Sequence, residues 1–250
     1  MVRREFLTKS LGLATTLFTS TSALANRRVG FKAIAFDAFP VFDPRSVAAQ
    51  CEALFPGRGS ELVNLWRQRQ FEYTWLRNVS NNYVDFAHVT DDALIFAAKT
   101  LKLDMTAEKH QRLLNAHYEL TTWPDALPAL TKLKDMGLHF AFLSNFTSKM
   151  LNGCIKHAGL EGMFDLVLST DLAHCYKPDA RAYQLGVDAL KLPRQEILFV
   201  AFAGWDAAGA KFFGYPTFWV NRLGLLPEEL GSFPDATGKN LTDLLAFVRA

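Results

Sequence analysis

Cysteine is scarce. Three of 250 residues, Cys51, Cys154 and Cys175, are too few and too scattered for a disulfide framework, and no two stand in metal-ligand spacing. Excess charge is missing too: 27 Lys and Arg against 25 Asp and Glu leave a formal +2. Arg3, Arg4, Glu5 and Lys9 account for all of that excess, so the chain beyond them is neutral. A neutral body lacks the basic face of a general nucleic-acid binder. No later apolar run approaches the roughly 18 residues of a spanning helix. Repeats and low-complexity segments are absent from the sequence. What the chain has in quantity is apolar surface: AVILMFWYC make up 50% of it, and 21 residues are Phe. Such a chain can bury a sizeable core, which excludes intrinsic disorder. A soluble globular protein is expected, built as one large domain or a core domain with a smaller insert.

The chain opens MVRREFLTKSLGLATTLFTSTSALANRR. Charged Arg3 and Arg4 precede an apolar stretch, Leu11 to Phe18, and Ala23-Leu24-Ala25 forms an A-x-A cleavage site. The paired arginines ahead of Glu5-Phe6-Leu7 resemble a twin-arginine export signal, which implies a signal peptide over residues 1–25 and a periplasmic mature protein. An amphipathic first helix is the other reading of this segment.

From Phe31 onward strands and helices alternate. Phe31 to Phe36, His139 to Leu143, Phe164 to Leu168, Ile197 to Phe202 and Thr217 to Val220 are short apolar runs suited to buried parallel strands. Helical patterns over Thr147 to Ala158, Asp179 to Leu190 and Trp205 to Phe213 separate the later runs. A closing helix, Leu241 to Val248, follows Asn240 as its N-cap. This order predicts an α/β fold with helices on both faces of a parallel sheet. Pro44 to Thr122 has no strand signal but carries helical periodicity, as in Leu62, Leu65, Trp66 and Arg69. It reads as an inserted helical cap over 44–122, leaving 26–43 and 123–250 as the core.

Ligands of open α/β sheets gather beyond the carboxyl ends of the strands. Asp37, Ser144, Asn145, Lys177 and Asp206 all follow predicted strands. Two carboxylates, a hydroxyl, an amide and an ammonium are thereby expected at one edge.

These residues stand in FDAFPVFD (36–43), WRQRQFEYTWLR (66–77), LSNFT (143–147), YKPDARAY (176–183) and FVAFAGWDAAGA (199–210). Together these segments resemble the haloacid dehalogenase superfamily, and within it the type II, L-2-haloacid dehalogenases. The resemblance covers about residues 31–248, and the cap text RQFEYTWLR is its most specific part. It implies a Rossmann-like parallel sheet with a helical cap and hydrolysis of short (S)-2-haloalkanoic acids through an aspartyl ester. It makes Asp37 the nucleophile, Arg67 and Asn145 the halide cradle, Ser144 a binder of the substrate carboxylate and Lys177 the charge partner of Asp37. Tyr183 and Asp206 fall on positions that support the lysine and the hydrolytic step. Phe39, Gln68, Phe71, Phe86 and Trp205 match the apolar wall. The resemblance further implies no cofactor or metal and a homodimer formed partly through cap helices, while the lack of a later spanning run leaves no membrane association expected after signal cleavage. Read without it, Arg67 is an exposed helix arginine, Asp206 a helix cap, and Phe86 and Trp205 plain core residues.

The sequence departs from the family text at three places. Pro40-Val41 replaces a Gly-Thr turn, and Ala201 and Ala203 stand where the dehalogenases carry Ser and Asn. Losing those polar groups implies a more apolar pocket and a less firmly held Lys177. A weakened or non-catalytic protein binding another small carboxylate is therefore an alternative reading. A phosphatase is a third, opposed by Phe39 at the position of that class's second aspartate.

Overall fold

The computed structural model describes residues 30–250. The leader assigned to residues 1–25 lies outside the described residues.

Six strands form one parallel sheet in the order β3-β2-β1-β4-β5-β6. They are β1 Ala33–Phe36, β2 His139–Ser144, β3 Leu166–Ser169, β4 Ile197–Ala201, β5 Thr217–Val220 and β6 Ala236–Gly238. β1, β2, β4 and β5 bury both faces along most of their length, which is why they read as apolar runs, whereas the short edge strand β6 is only partly buried. The two-residue period sorts the side chains. Ile34, Phe36, Phe140, Phe142, Leu198 and Val200 join one core, while Ala33, Ala35, Ala141, Leu143, Ile197 and Phe199 join the other. In register, β1 pairs with β2 from Ala33 with His139 to Phe36 with Phe142, and with β4 from Ala33 with Ile197 to Phe36 with Val200. The strand order reverses at β1, so the C-terminal ends of β1, β2 and β4 lie side by side at the switch point.

Four helices lie between β1 and β2 ahead of a fifth: α1 Arg45–Leu54, α2 Gly59–Ser80, α3 Phe86–Thr100, α4 Ala107–Asn115 and α5 Ala126–Lys134. The two ends of the first four meet in an antiparallel bridge, Phe42 with Thr122, backed by Asp43 N donating to Thr121 O (2.8 Å) and Trp123 N to Val41 O (3.1 Å). Within the segment, Trp66 Nε1 donates to Thr90 O (2.8 Å) and Gln70 Nε2 to Thr90 Oγ1 (2.9 Å), locking α2 against α3.

The remaining helices are α6 Ser148–His157, α7 Ala180–Leu190, α8 Gly204–Phe213 and α9 Leu241–Arg249. Thr147, Asp179 and Asn240 each accept a backbone N–H from their helix and so are N-caps rather than helical residues. Gly214 ends α8 at φ 99°, a left-handed conformation that suits glycine. Three expectations shift. β1 starts at Ala33 rather than Phe31, β3 starts at Leu166 because Asp165 turns its carboxylate onto Phe140 N (2.8 Å), and β4 stops at Ala201. Among the described residues no helix is long and apolar enough to cross a membrane.

Candidate active site

Asp37 immediately follows β1, and its side chain is 13% exposed. Oδ1 accepts from Lys177 Nζ (2.8 Å) and from Ser144 Oγ (3.3 Å). Among the described residues Oδ2 accepts only a long bond, from Phe39 N at 3.3 Å. Ser144 is the last residue of β2, so its hydroxyl reaches Asp37 across neighbouring strand ends.

Lys177 is 1% exposed and spans two carboxylates, with Nζ also 2.7 Å from Asp206 Oδ2. Asp206 lies in the first turn of α8, where a negative charge complements the helix dipole. Its Oδ1 accepts from Tyr183 Oη at 2.7 Å. The helix N-cap is Ala203, which leaves Asp206 for the lysine. Burial pulls the lysine's pKa down, but the charges of Asp206 and Asp37 outweigh it and the net direction is up. Burial and the charge of Asp37 push the carboxyl of Asp206 up to about 6, against the pull of Lys177 and Tyr183. Lys177 is thus firmly held despite Ala201 and Ala203, contrary to the looser anchoring expected from those alanines. The Pro40 turn is closed as well: Val41 N donates to Ala38 O (3.2 Å), and Arg222 Nη2 donates to Pro40 O (2.9 Å).

Asn145 Oδ1 accepts from Lys177 N (2.9 Å) and Thr170 Oγ1 (3.4 Å), which fixes the amide plane. Arg67 comes from α2, opposite the strand ends. Its guanidinium lies 5.9, 5.8 and 5.7 Å from the rings of Phe39, Phe71 and Phe202. Among the described residues it makes no hydrogen bond or ion pair. Burial lowers its pKa and the charge of Asp37 raises it, the net direction being down. An arginine held only by ring faces is a ready donor for an anion.

These groups surround a cavity of about 20 Å³, room for about one water. Asp37, Arg67, Ser144, Asn145, Lys177 and Asp206 line it with Phe39, Phe71, Phe86 and Trp205. Tyr183 sits behind Asp206, buried in the core. Phe86 serves as both core and wall. Gln68 is the exception. It is exposed, and its amide donates to Glu72 Oε1 at 2.7 Å. Arg67 and Phe71 are four residues apart on one face of α2, and Gln68 is turned about 100° from Arg67. Phe146 and Phe202 complete the wall. Phe146 escaped the sequence reading because a lone aromatic after a strand has no pattern, although it directly follows the Ser144-Asn145 pair. Among the described residues no group of three or more His, Cys, Asp or Glu side chains could hold a metal ion.

A family model for haloacid dehalogenase-like hydrolases matches residues 7–214. The chain belongs to this family. This haloacid dehalogenase-like hydrolase is 46% identical over 205 residues to the (S)-2-haloacid dehalogenase of Pseudomonas sp. (strain YL), spanning 82% of the chain and 88% of that enzyme. It is 39% identical over 207 residues to haloacetate dehalogenase H-2 of Moraxella sp. (strain B), spanning 82% and 92%. Its fold superposes on the L-2-haloacid dehalogenase of Xanthobacter autotrophicus with chloropropionic acid covalently bound, at TM-score 0.83 and 34% identity, covering 88% and 99% of the two chains.

Proposed function

We propose that this hydrolase converts short (S)-2-haloalkanoic acids to 2-hydroxy acids through an ester on Asp37. The observation that carries the reading is the pairing of a buried Asp37–Lys177–Asp206 array with Arg67, unpartnered among the described residues, across one small aromatic cavity. The relatives named for (S)-2-haloacid and haloacetate dehalogenation support it.

Asp37 Oδ2, the oxygen with only one long bond, attacks C2 from the side opposite the halogen. The carbon–halogen bond breaks with inversion, and the halide takes both bonding electrons. Arg67 and the amide of Asn145 receive that anion, acting as donors set in place before charge develops. Ser144 binds the substrate carboxylate. Lys177 keeps Asp37 ionised in a dry site, and the aromatic wall excludes water from the first step. Water then attacks the Cγ of the ester. The hydroxy acid departs with an oxygen that began on Asp37, and the carboxylate re-forms with one oxygen from water. Asp206, with its pKa pushed up to about 6, suits the acceptor of the water's proton. Tyr183 holds that carboxylate in place.

Halide release from (S)-2-chloropropionate, with Asp37→Asn as control, tests the reading. Release by the native enzyme alone supports it. Binding without release supports the non-catalytic alternative, and Mg²⁺-dependent turnover of a phosphate ester supports the phosphatase. We also propose export by the twin-arginine route to the periplasm, which changing Arg3 and Arg4 together to Lys should block. The helices between β1 and β2 act as a cap, and a homodimer forms partly through them, with exposed Leu76 and Val79 of α2 available to its interface. Sedimentation equilibrium tests the dimer.

A further inference from the structure

Beside the cavity at Asp37 lies a larger chamber of about 170 Å³. The two share a wall, since Phe39, Arg67, Phe71, Phe86 and Phe202 line both. Away from that wall Val47 and Ala48 of α1, Val63 and Trp66 of α2, and Trp123 line the chamber, which opens to solvent past the exposed Arg45, Asn64 and Leu223. Its polar groups are mostly spent or neutral. Arg45 pairs with Asp43 at 2.6 Å and lies over the Trp123 ring, and Gln70 is engaged by Thr90. His117 is buried with its Nδ1 unpartnered among the described residues, and burial pushes its pKa down to about 4, so its ring is uncharged at neutral pH. The result is an apolar room with Arg67 at its door.

An apolar cavity of about 150 Å³ suffices to hold benzene, so this chamber has space for about six carbon atoms. The cavity at Asp37 has room for about one water, so any haloacid pushes the aromatic wall outward, and a side chain from C3 outward presses on it further. The shared wall is the part that can yield. Moving Arg67 breaks no hydrogen bond among the described residues, and Phe39 meets Phe202 in a tilted contact 5.7 Å between centroids rather than a stack.

Resting on the dehalogenase reading, we infer that this chamber is an alkyl subsite for 2-haloalkanoic acids with chains of up to about nine carbons. The carboxylate, C2 and halogen stay at Asp37, while carbons four to about nine pass beside Arg67 into the chamber. Chains beyond that length fill it and gain nothing further.

The test is halide release over racemic 2-bromoalkanoates from propionate to dodecanoate. With the chamber taking the tail, kcat/KM rises by up to about fourfold per methylene as far as about 2-bromononanoate and then levels or falls. Ala48→Phe and, separately, Val63→Phe fill the chamber from two helices without touching the cavity at Asp37. Each should reduce the hexanoate-to-propionate ratio of kcat/KM by at least about tenfold, while continued turnover of 2-bromopropionate reports an intact fold. A native ratio below one overturns the inference, as does a ratio unchanged in both filled variants. A uniform loss of kcat on every acid assigns the chamber to water or halide passage instead. The native chain-length series decides even where a filled variant fails to fold. Absence of halide release from every acid, by contrast, removes the dehalogenase reading itself.

Discussion

Lys177→Met keeps the length of the buried stem and removes its ammonium. The native Nζ stands 2.8 Å from Asp37 and 2.7 Å from Asp206, so the variant leaves two carboxyls sharing a dry site. Breaking a buried pair by deleting one partner costs about 3–5 kcal/mol. The pH dependence separates this electrostatic loss from a packing loss. Burial raises the native Asp206 from 3.8 to about 6, so the folded state holds its proton more tightly than the unfolded chain does. Stability from such a group is full below its unfolded pKa and declines as pH climbs through the raised value. At about 1.4 kcal/mol per pH unit, that interval corresponds to about 3 kcal/mol in the native protein. In the variant the downward pull of Lys177 is gone, so the decline extends to higher pH. Urea unfolding followed by tryptophan fluorescence at about pH 5, 7 and 8.5 measures it. The deficit of Lys177→Met should be smallest at the lowest pH and grow by at least about 2 kcal/mol at the highest. An equal deficit at all three would refute the reasoning.

Tyr183→Phe removes the 2.7 Å bond to Asp206, a loss of about 1–3 kcal/mol, and the native decline of stability near pH 6 should move upward because that bond lowers the Asp206 pKa. A pH series of melting temperatures reads both effects. Arg67→Met should lower kcat for haloacids by about 10²–10³-fold with little change in urea midpoint, since the side chain makes no hydrogen bond among the described residues. In Gly209→Ala the new Cβ would meet Tyr183 Oη at 2.6 Å and Pro178 Cβ at 2.7 Å. We expect about 1–3 kcal/mol of destabilisation, seen as a lower urea midpoint, with α8 pushed away from the lysine loop.

Much of the fold was legible because a sheet buried on both faces writes its strands as apolar runs, and Thr217 to Val220 matches β5 to the residue. The last strand was not. Ala236–Gly238 is three residues long and only partly buried, so it carries no run to read. Nor was α5, which holds Pro128 in its first turn. There a missing N–H breaks no helical bond, although proline normally signals a break. The site was legible where its side chains follow strand ends and obscure where they come from α2. Leu62, Trp66, Gln70 and Thr74 face inward at four-residue spacing, and this periodicity does not say which flanking face turns toward Asp37. Arg67 lies on that flank and Gln68 does not. The partners of Lys177 are legible in the sequence, but not the distances of 2.8 and 2.7 Å that let Asp37 and Asp206 hold it without help from positions 201 and 203.

The central claim is that Asp37 itself forms the ester. A single turnover of excess enzyme with (S)-2-chloropropionate in ¹⁸O-water, followed by proteolysis and mass spectrometry, tests it directly. The account predicts one ¹⁸O atom in the peptide bearing Asp37 and unlabelled lactate. Labelled lactate with an unlabelled Asp37 would mean direct attack by water and would contradict it.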